Sequence, residues 1–131
     1  MNPEFLDLED ALEMHAMQLA LFGGLEGLRD LGLLESALAQ PAAVFNNEFL
    51  HTDLFEMAAA YLFHIVSNHP FLDGNKRTAL ISALVFLNLN GLVIDHDHPA
   101  LEKMVLKAAQ GKIGKPQIAA FLKKFHKHSK K

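Results

Sequence analysis

"NHPFLDGNKRTALISALVFLNLNG" occupies residues 68–91. From Asn75 to Asn90 it is apolar almost all round after its first turn, the pattern of a helix buried at the centre of a domain. Gly91 suits the C′ position that ends such a helix. Ahead of it, His69 to Gly74 carries a proline and a glycine and reads as a loop.

A buried helix needs helices around it, and the flanking sequence supplies their signals. Asp53-Leu54-Phe55-Glu56 reads as a capping box opening a helix to about Ser67. Further out, Asp7 can cap a helix from Leu8 to Leu21 that Gly23-Gly24 stops, and Asp30 can cap a short one to Ala39. "PAAVFNNEFLHT" (residues 41–52) reads as a loop with room for one helical turn, and "LVID" (residues 92–95) as a short strand or extended loop. Pro99 and Pro116 suit the first turns of two last helices, to about Gln110 and His126. The expectation is a mostly helical single domain over residues 1–126, with a basic tail at 127–131.

Composition bounds the function. At 131 residues, half of them apolar, the chain can bury a core without staples. It has no cysteine, which removes disulfides, thiol nucleophiles and cysteine-held zinc. The N-terminus lacks a signal-peptide pattern, and the longest uncharged stretch, Thr78 to Ile94, is short and interrupted for a membrane span. A soluble cytoplasmic protein is expected. The net charge of −3 conceals a polarity: all fifteen acids lie at or before Glu102, opposed there only by Arg29, Lys76 and Arg77. From Lys103 onward there are nine lysines and no acid, which reads as a solvated end.

Two of the three early cations sit in the quoted stretch, behind His69 and Asp73. A helix start presents unpaired N–H groups and the positive end of the macrodipole, a ready anion site. Gly74 lets backbone approach a ligand, and Lys76 and Arg77 add full charge. Arg77 can alternatively fork to a carboxylate and brace the loop. The anion that fits best is a phosphate. Asp73 would repel it unless a cation lies between, which is the usual placement of Mg²⁺. Histidine is the side chain that most readily takes a proton at neutral pH, so His69 is the candidate general base. Together these groups suit attack of a hydroxyl on a nucleotide phosphate. Asp73-Gly74-Asn75 would also serve as a plain turn and helix cap, with Phe71 a core anchor in either case.

"HPFLDGNKRT" resembles the signature loop of the Fic/Doc family, HPFx(D/E)GNxR. "FGGLEGLRD", "LLESALAQP", "TDLFEMAAAYLFHIV" and "TALISALVFLNLNG" are similar to further segments of its Doc (death-on-curing) branch, so the resemblance runs to about Phe125. It implies an all-α bundle with the loop between two central helices. It implies His69 as base, Asp73 as Mg²⁺ ligand, and Phe71, Gly74, Asn75, Lys76 and Arg77 as the ATP-binding set, with Lys76 and Arg77 also catalytic. Typical Fic enzymes transfer AMP and have Gly where this chain has Lys76, and Arg where it has Leu80. Both departures match the Doc branch, in which reversed ATP presents its γ-phosphate. The implied activity is a kinase acting on a threonine of elongation factor Tu and stopping translation. Gly74 is the Fic-like residue where some Doc proteins have Ala, which leaves AMP transfer as the alternative. The Fic inhibitory pattern is not matched at Thr52 to Glu56, where Met57 follows. Inhibition by a Phd-type antitoxin is implied, with DNA contacted only through that partner. An idle antitoxin-binding co-regulator is the rival from another class.

Other residues invite plainer readings. "DHDHP" (residues 95–99) has the look of a metal site but lacks further ligands and reads as a solvated loop. His15 and His64 fall on apolar helix faces, as core or edge histidines, and Met14, Met17, Met57 and Met104 read as packing. His126 and His128 are assigned to the tail.

Overall fold

Asp7, Asp30 and Asp53 each open a helix by accepting a free first-turn N–H. The structure, a computed structural model, describes residues 2–127; residues 128–131, which include His128 and most of the expected tail, lie outside that range. Helix α1 (Leu8–Phe22) begins with a full capping box, since Asp10 reciprocates by accepting the Asp7 N–H. Helix α2 (Leu31–Ala39) runs into a 3-10 turn at Gln40–Ala42.

The expected loop after Pro41 contains that turn and then a small hairpin, β1 (Val44–Phe45) with β2 (Glu48–Phe49). Asn46 and Asn47 make its reversal at φ 52° and 63°. Asparagine tolerates these left-handed values, which two-residue hairpin turns need. Two-residue strands carry too little alternation to be seen in the sequence.

Helix α3 (Leu54–Asn68) starts as expected at Asp53, but the reciprocal arm differs. Glu56 reaches one residue further back and accepts the Thr52 N–H and hydroxyl instead of the cap's own N–H. Helix α4 (Asn75–Leu89) is the buried helix of the opening stretch, ended by Asn90 and by Gly91 at φ 87°. It lies against α1 and α3. The three consecutive alanines at 58–60 are wholly buried, along with Tyr61, Leu62 and Ile65. Such small residues let neighbouring helices approach α3 closely, and it touches α2, α4 and the two helices that follow.

After α4 come β3 (Val93–Ile94), α5 (Ala100–Ala109) and α6 (Lys115–Lys124). Pro99 stands just before α5 as its N-cap, whereas Pro116 lies in the first turn of α6. The last helix stops short of the expected His126. His126–Lys127 form β4, antiparallel to β3, with Val93 opposite Lys127. The His126 ring meets Phe55 edge-on, so this part of the expected tail is packed. In "DHDHP", His98 Nδ1 accepts the Ala100 N–H and its ring lies on Phe125, which makes it a helix cap. Met14, Met57 and Met104 are buried, but Met17 is 61% exposed and is not core packing. Among the described residues, no helix is long and apolar enough to cross a membrane.

His64 links α3 to α6. Lys115 Nζ lies 3.1 Å from its Nε2, which must accept because the ammonium can only donate. Burial, then the Lys115 charge, then His51 push the His64 pKa down to about 4. The unfolded chain therefore protonates first as pH falls. Stability from this group is complete above the ordinary value of 6.5 and is lost between 6.5 and about 4. Linkage alone would give ~3 kcal/mol; solvent screening at this half-exposed site reduces it to about 1–2 kcal/mol. Urea midpoints between pH 7.5 and 4.5 should show that loss, and His64→Gln should reduce it, leaving the part owed to His51, whose pKa burial and then the Lys115 charge also lower. Asp73 titrates outside this window, below its ordinary 3.8.

Candidate active site

The loop between α3 and α4 is entered and left through left-handed residues. His69 ends α3 at φ 50°, ψ 55°, and Gly74 precedes α4 at φ 77°, ψ 15°. Histidine is one of the few side chains found in that region with any frequency. Pro70 bars the right-handed helical conformation at the residue before it, which helps end α3 at His69. Between the two reversals, Phe71 is wholly buried against Ala11 and Leu34. The His15 ring stacks on it, 3.8 Å between centroids and 6° from parallel.

Each remaining part of the loop is tied down. The Asn75 side chain accepts the Phe71 N–H (3.0 Å) and donates to the Phe71 carbonyl (2.9 Å). His15 Nε2 lies 2.8 Å from the Asp73 carbonyl; a carbonyl only accepts, so that nitrogen carries the hydrogen. The segment between α1 and α2 runs antiparallel to the loop. Leu28 bridges Phe71, the Leu72 N–H donates to the Gly27 carbonyl, and the Arg29 N–H donates to the Pro70 carbonyl.

The same segment fixes the Asp73 carboxylate. Leu25 N–H donates to Oδ2 (3.1 Å) and Gly74 N–H to Oδ1 (2.8 Å). These two bonds, in that order and ahead of the Arg77 charge, hold the Asp73 pKa below the usual carboxylate value. Gly24 makes the approach possible: at φ 125°, a Cβ there would stand 2.8 Å from Asp73 Oδ2.

His69, Asp73, Gly74, Lys76 and Arg77 border one open cavity of about 860 Å³. Its far wall is α5, with Glu102, Lys103 and Leu106. Among the described residues no side chain caps α4, so its first N–H groups face the loop without a side-chain acceptor. Arg77 holds its guanidinium over the Phe22 ring, 4.3 Å from the centroid, and not against a carboxylate. The arrangement can take a phosphate at the helix start, with a cation beside it. Asp73 is exposed and keeps lone pairs on both oxygens, which fits Mg²⁺ shared between one carboxylate and phosphate oxygens.

Two expected nucleotide-binding residues are placed differently. Phe71 is fully buried and cannot face a ligand; it anchors the loop. Asn75 is 4% exposed with its amide committed to Phe71, so only its backbone N–H is left for an anion. Sequence reasoning missed His15, Gly24, Arg29 and the α5 wall. Arg29 had a signal, as one of three cations before Lys103. His15 had none, because its helical spacing from Ala11 reads as core.

A histidine, a carboxylate and an uncapped helix start border one cavity, an arrangement with the chemistry to receive an anion. The Fic/DOC family model matches residues 5–87, which is α1 through most of α4. The chain is 37% identical over 118 residues to "Protein kinase doc" of Escherichia phage P1, across 90% of this chain and 92% of that protein. It is 38% identical over 124 residues to "Toxin Doc" of Mycolicibacterium smegmatis, across 93% of each. The chain belongs to the Fic/Doc family.

Proposed function

We propose that this protein is a Doc-type toxin, a kinase that transfers the γ-phosphate of ATP to a threonine of elongation factor Tu and so arrests translation. The observation that carries this reading is the meeting of His69, Asp73, Lys76 and Arg77 at one cavity over the uncapped start of α4. The similarity to a protein named as a kinase supports it.

In this reading the N–H groups at the start of α4, with Lys76 and Arg77, hold the polyphosphate. Asp73 would hold Mg²⁺, which offsets phosphate charge when bound. The threonine oxygen bonds to the γ-phosphorus, the bridging P–O bond to ADP breaks, and His69 takes the hydroxyl proton. Positioning supplies most of the catalysis, which suits a loop tied down at both ends. A Phd-type antitoxin would neutralise the toxin in the cytoplasm and alone would touch DNA. Exposed Phe22, under the Arg77 guanidinium, and exposed Leu25, bonded to Asp73, lie beside the site and favour an apolar binding segment.

AMP transfer is the second reading, favoured by glycine at position 74, whose φ of 77° an alanine would adopt only under strain. The test is to incubate the protein with Mg²⁺ and elongation factor Tu, using ATP labelled at the α- or the γ-phosphate, and to weigh the product. γ-Label with a phosphate-sized gain is expected. α-Label with an AMP-sized gain would place the protein with AMP transferases. No label on this target or on lysate proteins would favour the idle co-regulator.

A further inference from the structure

All three cations that precede Lys103 converge on the loop after α3. Lys76 and Arg77 face its cavity, and Arg29 grips it from outside. Arg29 Nε–H donates to the His69 carbonyl at 2.6 Å, and Nη2–H donates to the Asn68 carbonyl at 2.7 Å. Its own backbone N–H donates to the Pro70 carbonyl at 2.7 Å.

These acceptors are not equivalent to any two free carbonyls at a helix end. The Asn68 carbonyl belongs to the peptide plane before the His69 Cα, and the His69 carbonyl to the plane after it. One rigid guanidinium that holds both planes fixes φ and ψ of His69 together. That residue sits at φ 50°, a conformation that persists only where the surroundings impose it. Among the described residues no hydrogen bond holds the imidazole, and His69 is exposed at the cavity edge. Its position is therefore inherited from its backbone.

We infer that Arg29 is a positioning residue that sets the place of the His69 imidazole in the cavity; this rests on the reading of His69 as the base. Arg29 touches no reacting atom. A merely structural role, a cation at the negative end of α3, would be met equally well by lysine. Arg29→Lys keeps that charge without the fork, and Arg29→Met removes both.

The expected result is a kcat reduced about 10–100-fold in Arg29→Met, as for a base misplaced by about an ångström. KM for ATP should stay within ~2-fold of the parent protein, since the phosphate groups are untouched. Arg29→Lys should keep the parent's unfolding midpoint yet recover only part of the rate. The ring and backbone NMR signals of His69 in nucleotide-free protein should shift in both variants, a readout that needs no turnover. Unchanged His69 signals in Arg29→Met, or full kcat in folded Arg29→Lys, would overturn the assignment. His69→Ala serves as the control. If it retains full activity, the base reading falls and the inference with it. If it is inactive while the Arg29 variants match the parent, the inference alone falls.

Discussion

Replacing His69 with asparagine is expected to lower phosphate transfer about 10²–10⁴-fold, the usual worth of a positioned general base. Asparagine is the informative choice beside alanine, because it tolerates the left-handed backbone at φ 50° and leaves the end of α3 undisturbed. His69 is exposed, so its loss should leave the unfolding midpoint almost unchanged. Asp73→Asn should cost a comparable factor by another route. It preserves the shape and lets an amide oxygen accept one of the two loop N–H bonds, from Leu25 or Gly74. It removes the charge that would hold Mg²⁺, so its deficit should shrink as Mg²⁺ is raised, whereas that of His69→Asn should not. Label transfer measured across a Mg²⁺ series separates the two, and growth on induced expression reports toxicity. Either variant arresting growth as fully as the parent chain would remove this mechanism.

What the sequence revealed and what it hid divide along contact range. Asp7, Asp30 and Asp53 cap helices whose first turns lie within three residues, so their signals are local and were legible. The α4 pattern was legible because a helix buried on most sides cannot carry charge. The pairing of His126–Lys127 with Val93–Ile94 depends on where two distant segments meet, and no local pattern announces it. The same holds for the site. His69, Asp73, Lys76 and Arg77 stand within nine residues of one another and announce themselves by scarcity of charge. The groups that orient them come from 40 to 58 positions away, as with Arg29 at His69 and His15 at Asp73. A glycine-rich turn such as "GGLEGLRD" can be recognised as a turn, but not as the edge against which a loop is laid.

Phe71 shows how far the site depends on the fold, and Phe71→Ala is expected to destabilise the protein by about 3–5 kcal/mol, the range for a buried phenylalanine. Phe71 lies apart from the main core, in a small cluster with Ala11 and Leu34 edged by Leu8 and Leu38. That cluster joins α1, α2 and the loop, and Phe71 is its only large ring. The alanine at position 11 is small, and His15 is held to the Asp73 carbonyl on one side while it stacks on Phe71 on the other. The cavity should therefore stay open, at the upper end of the cost. Domains of this size are stable by only about 5–15 kcal/mol, so the variant should populate unfolded chain at physiological temperature. Urea unfolding should show a lower midpoint with unchanged m. Phe71→Leu, which keeps apolar bulk, should lose far less. A cost below about 1 kcal/mol for alanine would mean that the cluster collapses freely, and that the loop is held by its hydrogen bonds to His15, Asn75 and the 25–29 segment. Because Asn75 grips the Phe71 backbone and not its ring, the folded fraction of Phe71→Leu should keep its activity. Stability and turnover should then part company at this one position: the ring anchors the loop, and the backbone bonds shape it.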